Sequence, residues 1–181
     1  MKKNKNNSNK DTKRILICLF LVILWIFLIY FFSDMSSFDS NKLSKGIVNN
    51  IVDKTVKVEK KVNIRNEDLE GIERYRKVRD VNFYIRKSAH VLEFLILDLL
   101  LLKFLSLIFK DKEKGTLIYY SSVLTFLCTL LDEFHQSFVG RTSQFSDCLI
   151  DSIGIVLVII IFEINKFIKK KKENKKEIKE K

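Results

Sequence analysis

The sequence predicts an all-α fold, a polytopic membrane helix bundle of about four transmembrane helices, and three features support this prediction. Apolar residues make up 47% of the 181 residues and charged residues 30%, yet the two classes lie in separate blocks. A soluble domain would interleave them. The apolar blocks are about as long as a helix that crosses the hydrocarbon core. The chain has no Pro and only five Gly, which favours uninterrupted helices.

The first transmembrane helix is predicted at residues 15–32, a run of 18 residues without a charge. At 1.5 Å per residue such a run spans roughly 27 Å, enough to cross the hydrocarbon core. Residues 1–14 carry six Lys or Arg and one Asp, and they are predicted to form a disordered basic tail. A basic start before an apolar run is also typical of a signal peptide. This run is too long for one and no small-residue cleavage site follows it, so we expect an uncleaved helix.

Residues 33–87 form the one long polar segment and are predicted to be an outer loop. Apolar residues recur at four-residue spacing from Leu43 to Ile51, and Asn66 is suited to cap a helix that begins at Glu67. Two short helices on the membrane surface and a solvated linker are both consistent with this pattern.

Three further transmembrane helices are predicted at residues 88–109, 116–134 and 146–165. A short basic turn at 110–114 joins the first two of these helices. The Lys-rich residues 166–181 are predicted to be a second disordered basic tail.

The charge distribution predicts the topology of the membrane domain, residues 15–165. Because both tails are basic, the positive-inside rule places both termini in the cytoplasm of a multi-pass cell-membrane protein. The basic stretch 74–87 does not fit this topology, since it would lie outside. The net charge of +11 is concentrated in the tails, which we expect to contact anionic lipid headgroups rather than nucleic acid.

Ionisable residues interrupt the apolar runs towards the predicted outer face. A charge near the bilayer centre costs about 2.5–3.5 kcal/mol, so each of these residues requires a partner or a function. Helical spacing brings them to one layer from three helix ends and one loop. The predicted ligand-binding residues are Lys87, His90, Glu93, Asp132, Glu133, Gln136, Arg141, Asp147 and Asp151.

Structural roles are the alternative for each of these residues. Asp147 and Asp151 lie in the first turns of the last helix, where they would stabilise the helix dipole. Lys87 is placed to extend its ammonium group to the interface, and His90 to pack as a neutral, hydrogen-bonded side chain. A purely structural ion-pair network is the alternative for the whole set.

The sequence predicts no cofactor and no metal site. The three cysteines, Cys18, Cys128 and Cys148, lie in or beside apolar runs and show no metal-binding spacing. We expect them to pack as small apolar residues.

At these polar residues the chain resembles the VanZ-like family, integral membrane proteins named after a teicoplanin-resistance protein. The resemblance covers roughly residues 15 to 165. The motifs that carry it are Phe32-Ser33 with Ser36-Ser37 and Leu43-Ser44, Arg86-Lys87-Ser88-Ala89-His90 with Glu93-Phe94, Asp132-Glu133-Phe134-His135-Gln136 with Gly140-Arg141, and Asp147 to Asp151 with Gly154. Many relatives have Pro-Gly-Arg where this chain has Val139-Gly140-Arg141. The resemblance implies a cell-envelope role and reduced susceptibility to lipoglycopeptides such as teicoplanin.

Three classes of function remain open from the sequence. The first is a binding module for an anionic, lipid-linked envelope component or a lipid-anchored drug, in which Lys87 and Arg141 would contact phosphate. The second is a membrane-embedded hydrolase acting on a lipid-linked substrate, with His90 or Glu133 as general acid/base and carboxylates holding a divalent cation. No hydrolase motif supports it, and no catalytic residue is assigned. The third is a passive scaffold for cell-wall machinery. The sequence leaves the oligomeric state open.

Overall fold

The structure is a computed structural model that describes residues 2–34, 48, 52, 67–138 and 145–179. Four helices account for nearly all of this part of the chain, and it contains no strand. They are α1 (Lys2–Ser33), α2 (Glu67–Ile108), α3 (Lys114–Phe138) and α4 (Phe145–Lys179). The all-α prediction is confirmed.

Helix α2 is the central helix of the bundle, because it makes the most extensive contacts with the other three helices. The indole Nε1–H of Trp25 donates a 2.9 Å hydrogen bond to the backbone carbonyl of Glu93, and Lys110 pairs with Asp11. These two contacts show that α1 and α2 are antiparallel. Over the described residues α1 and α4 make no contact with each other.

The contacts of α2 with the last two helices fix the rest of the topology. Ser122 and Asp132 of α3 lie near Asp98 and His90 of α2, in the reverse order. Asp147 and Gly154 of α4 lie against Lys87 and Val91, in the same order. Helix α3 is therefore antiparallel to α2, and α4 runs parallel to it. The four helices alternate in direction with α1 and α3 pointing one way, as in an up-and-down bundle.

The bundle has an apolar exterior and a partly polar interior. The buried residues of α3 include Ser121, Thr125, Thr129, Asp132, Glu133 and Gln136, whereas its exposed residues include Tyr119, Val123, Leu127, Leu131, Phe134 and Phe138. Helix α1 likewise exposes Leu16, Phe20, Ile23, Phe27 and Phe31. Such large exposed apolar surfaces indicate a protein that contacts membrane.

Apolar packing holds α1 to α2. Val22 and Ile29 of α1 form a buried cluster with Phe94, Leu97 and Leu101 of α2. Their spacings of three, four and seven residues place them on one face of each helix. The first helix thus contributes to the core of the bundle.

Gly154 permits the closest approach between α4 and α2. A Cβ atom at this position would lie 2.4 Å from the carbonyl oxygen of Val91 and 2.8 Å from the amide nitrogen of Leu95. Both of these atoms belong to backbone, so neither could rotate away. The helices pack at this distance only because residue 154 has no side chain.

The helices extend well beyond the apolar runs that predicted them. Helix α2 begins at Glu67 rather than at 88, so the end of the predicted 33–87 loop is one continuous helix with the second apolar run. Helix α1 extends back to Lys2 and α4 forward to Lys179, which corrects the prediction of disordered tails. The polar extensions contain no Pro, and Lys, Glu and Arg are good helix formers, so nothing ends these helices at the hydrocarbon boundary.

Most of the segment before α2 lies outside the described residues, including Asn66 and the apolar repeat that begins at Leu43. Val48 and Val52, which are described, are helical and almost completely buried.

Two segments are long and apolar enough to cross a membrane by length and composition, namely Asn9–Ser33 and Lys114–Phe138. They correspond to the predicted first and third transmembrane helices. The apolar part of α2 carries Glu93, Asp98 and Lys103, which lowers its hydropathy. The three cysteines are free, as expected, with Cys18 and Cys148 buried between helices.

Candidate polar site between α2, α3 and α4

Eight of the nine predicted ligand-binding residues lie in the described part of the chain, at one end of the bundle. Helix α2 supplies three of them, the end of α3 three, and the start of α4 two. We call this set the polar cluster; its members are Lys87, His90, Glu93, Asp132, Glu133, Gln136, Asp147 and Asp151.

His90, Asp132 and Asp151 form the innermost part of the polar cluster. Each comes from a different helix, and one ligand atom of each lies within 4.8 Å of the other two. The three residues are 8%, 1% and 3% exposed. The structure therefore brings together one imidazole and two carboxylates that are separated widely along the chain.

Two neighbouring side chains contact this inner group. The Gln136 amide Nε2–H donates a 2.8 Å hydrogen bond to Asp132 Oδ2, one helical turn away on α3. The Oε2 atom of Glu93 lies 3.2 Å from His90 Nδ1, an ion-pair distance, although the angles do not meet those of a hydrogen bond. Glu93 and Asp151 therefore face the interior of the bundle and not lipid, as a shared site requires.

Lys87 and Asp147 form the rim of the polar cluster. Lys87 Nζ lies 2.6 Å from Asp147 Oδ2, and the two side chains are 11% and 21% exposed. The ammonium group also lies 5.9 Å from the ring centroid of Phe83. This pair joins α2 to the first turn of α4.

The interior of the polar cluster contains carboxylate oxygens without hydrogen-bond partners. Asp132 Oδ1 and Asp151 Oδ1 are both fully buried, and neither accepts a hydrogen bond from the residues that the structure describes. An unsatisfied buried polar atom costs about 1–3 kcal/mol, and more when it is charged. Native structures rarely keep such atoms without a reason, which argues against a purely structural network.

Glu133 and Arg141 are the remaining two predicted ligand-binding residues. Glu133 is buried and interacts with other residues of the protein. Arg141 lies outside the described residues, as do Val139 and Gly140, so its position relative to the polar cluster stays a prediction.

His135, the other histidine of the chain, lies apart from the inner group. Its Nε2 atom is 3.3 Å from Asp34 Oδ1, and its ring packs edge-on against Tyr30 with centroids 5.6 Å apart. These contacts join the ends of α1 and α3 at the exposed edge of the bundle.

A second polar group lies deeper in the bundle and was not among the predicted site residues. Asp98 is fully buried on α2, and the Oγ atom of Ser122 lies 3.4 Å from its Oδ2. Ser121 and Thr125 also lie beside this carboxylate, although Thr125 Oγ1 makes no hydrogen bond within the described residues. The sequence contains a signal for this second polar group. Ser121, Thr125 and Thr129 recur at four-residue spacing on the helix that also carries Asp132 and Glu133.

Comparison with known proteins gives one match. The family model VanZ/LLP1 matches residues 18–166, which include all four helical cores and the whole polar cluster. No curated protein and no solved structure matches the chain. Family membership and the two apolar helices together indicate association with a membrane. Because the family model covers most of the sequence, the chain belongs to the VanZ/LLP1 family.

Proposed function

We propose that this protein binds the headgroup of an anionic, lipid-linked component of the bacterial cell envelope at the polar cluster, and that it lowers susceptibility to teicoplanin by this binding. The alternative ligand for this site is the lipoglycopeptide itself. Contact of anionic lipid headgroups with the basic ends of α1 and α4 is part of the proposal.

The observation that carries the proposal is the burial of an incompletely satisfied polar cluster in a bundle with an apolar exterior. Three helices contribute to it, and Asp132 Oδ1 and Asp151 Oδ1 have no hydrogen-bond partner in the described protein. A structural network would be expected to satisfy its own atoms. Groups from a ligand would supply the missing contacts.

The charges of the polar cluster suggest how an anionic headgroup would be held. Lys87 is the member with a permanent positive charge, and the Asp147 carboxylate fixes its ammonium group at the rim. There it would meet a phosphate by a charge-assisted hydrogen bond. The buried carboxylates would accept hydrogen bonds from hydroxyl or amide groups of the same ligand.

The proposed topology has four crossings and cytoplasmic termini, with the polar cluster near the outer face. Its support is the distribution of charge: the N-terminus of α1, the turn after α2 and the Lys-rich end of α4 all lie at the opposite end of the bundle. This is the arrangement that the positive-inside rule favours. A site near the outer face would be accessible to envelope components and to the drug.

Lys87→Gln tests the proposal because it removes the charge at the rim and keeps most of the side chain. We expect ligand affinity to fall about tenfold or more, as for other buried charge pairs. The minimal inhibitory concentration of teicoplanin should fall towards that of cells without the protein. Lys103→Gln, an exposed lysine on the same helix, is the matched control and should behave as wild type. Full protection by Lys87→Gln at equal membrane abundance would contradict the proposal.

A membrane-embedded hydrolase acting on a lipid-linked substrate is the second candidate. The observation that favours it is the buried imidazole of His90 beside the Glu93 carboxylate, a pair of the kind that serves general acid/base catalysis. The two candidates differ in the response to His90→Gln. A hydrolase would lose turnover and keep substrate binding, whereas a binding protein would show no turnover to lose.

A further inference from the structure

We infer that His90, Asp132 and Asp151 form a binding site for one divalent transition-metal cation, of which Mn²⁺ and Zn²⁺ are the best suited. The sequence predicts no metal here because the three residues come from three helices and share no local spacing. Only the packing of α2, α3 and α4 brings them together.

The distances between the three residues are close to those of a metal site. One ligand atom of each residue lies within 4.8 Å of the other two. Ligands that share an ion at about 2.0–2.2 Å lie roughly 3–4 Å from one another. Small rotations of the two aspartate side chains would therefore bring the three donors to a common ion.

The unsatisfied oxygens are an independent reason to expect a cation. Asp132 and Asp151 are more than nine-tenths buried, and over residues 2–34, 67–138 and 145–179 the Oδ1 atom of each finds no hydrogen-bond partner. Gln136 satisfies only the second oxygen of Asp132. A divalent cation would coordinate the remaining oxygens and offset the repulsion between two buried carboxylates.

The surrounding residues match the outer shell of a metal site. A histidine ligand usually donates its other ring N–H to a carboxylate, which fixes the tautomer and the ring orientation. Glu93 Oε2 lies 3.2 Å from His90 Nδ1, and a small rotation of the Glu93 side chain would align the two for this role. Nε2 would then be available to bind the metal. The amide of Gln136 orients Asp132 in the same way.

The donor atoms decide the class of metal. One imidazole nitrogen with two carboxylate oxygens suits first-row divalent ions such as Mn²⁺ and Zn²⁺. Mg²⁺ and Ca²⁺ prefer ligand sets made of oxygen alone. Three protein ligands also leave coordination positions to which the phosphate of a ligand could bind, which would link this site to the proposed function.

The test is metal binding by the purified full-length protein in detergent, with no lipid ligand added. After treatment with a chelator, the protein is titrated with Mn²⁺ or Zn²⁺, and bound metal is measured by inductively coupled plasma mass spectrometry. We expect one ion per chain for the wild type. Asp151→Asn and His90→Gln should each weaken binding tenfold or more, because each removes one of three ligands.

Two matched variants control for adventitious binding. His135→Gln removes the other histidine, and Asp98→Asn removes a buried carboxylate outside the inner group; both should bind one ion with wild-type affinity. The thermal unfolding temperature provides a readout if a variant folds poorly, because metal should raise it for wild type and for both controls. Absence of bound metal in the wild type, or equal affinity in all four variants, would overturn the proposal. Since the quantity measured is bound metal and not bound lipid, failure of the proposed function would leave this result unchanged.

Discussion

Among single residues, Asp98, Asp132 and Asp151 are all buried carboxylates, but their surroundings differ. Asp98 is fully buried in α2, where hydroxyl groups of α3 surround its carboxylate, Ser122 at 3.4 Å. Among the described residues, the Oδ1 atoms of Asp98, Asp132 and Asp151 are all buried without a hydrogen bond. The difference is that Asp132 and Asp151 lie together with His90, whereas Asp98 lies against hydroxyl groups of α3. Asp98 therefore fits a structural role between two helices, whereas the cluster aspartates fit a site completed by a ligand.

Substitution of Asp98 should separate these roles. Asp98→Ala would leave the hydroxyl group of Ser122 without this partner, at a cost of about 1–3 kcal/mol in the free energy of unfolding. Asp98→Asn keeps an acceptor of the same shape and should cost much less. Thermal unfolding in detergent measures both variants. An Asp98→Ala protein as stable as the wild type would show that the hydroxyl group does not depend on this carboxylate.

At the scale of elements, the closest helix contact depends on the absence of one side chain. A Cβ atom at Gly154 would overlap the backbone of α2 at Val91 and Leu95. The same contact holds the start of α4, with Asp147 and Asp151, against the residues of α2 that complete the polar cluster. The packing of α2 against α4 and the geometry of the site are therefore coupled.

Gly154→Ala should displace α4 from α2 and destabilise the bundle by about 1–3 kcal/mol, as expected for overpacking. Gly115→Ala is the matched control, because nothing lies within 4 Å of a Cβ atom at this position in α3. It should be neutral or slightly stabilising, since Ala is the better helix former. The unfolding temperatures of the two variants provide the comparison. Equal stability of Gly154→Ala and Gly115→Ala would mean that the helices are not in contact at Gly154.

The helices show how far the sequence can predict this fold. Apolar runs predicted all four helices, because membrane-spanning segments must be apolar for the length of the hydrocarbon core. They did not predict where helices end: α2 begins at Glu67, well before its apolar run, because polar helix formers precede it without a break. Hydropathy detects the membrane boundary, whereas only caps and breakers mark the end of a helix.

For the polar cluster, helical spacing predicted which residues share one end of the bundle, but not which of them pair. Lys87 pairs with Asp147, and His90 faces Asp132 and Asp151, because α4 runs parallel to α2 and close to it. That register depends on Gly154 and on packing between helices distant in sequence. Asp98 was not predicted as a site because it is a single residue in an apolar run, and its partners lie on another helix.

At the scale of the whole molecule, polar and apolar groups are arranged for a membrane. Exposed apolar residues surround the bundle, and the buried face of α3 is polar. Basic residues are concentrated at the end of the bundle opposite the polar cluster, in the N-terminal part of α1, the turn after α2 and the C-terminal part of α4. The basic residues between Arg74 and Lys87 oppose this trend, since they lie at the cluster end in the first part of α2.

Thiol labelling in intact cells tests the proposed orientation. Asn66→Cys and Lys112→Cys are made separately in a chain whose Cys18, Cys128 and Cys148 are replaced by Ala. An impermeant reagent should label Asn66→Cys in intact cells and Lys112→Cys only after the membrane is opened. The reverse pattern would place the polar cluster in the cytoplasm.

The central claim, that the polar cluster binds an anionic lipid-linked component, is tested most directly by identifying what binds to it. Wild-type protein, Lys87→Gln and Lys103→Gln are purified in mild detergent, and their bound lipids are identified by mass spectrometry. We predict that an anionic lipid-linked species copurifies with the wild type and with Lys103→Gln, and that its amount per mole of folded protein falls about tenfold or more with Lys87→Gln. Equal amounts of every lipid on all three proteins would contradict the claim.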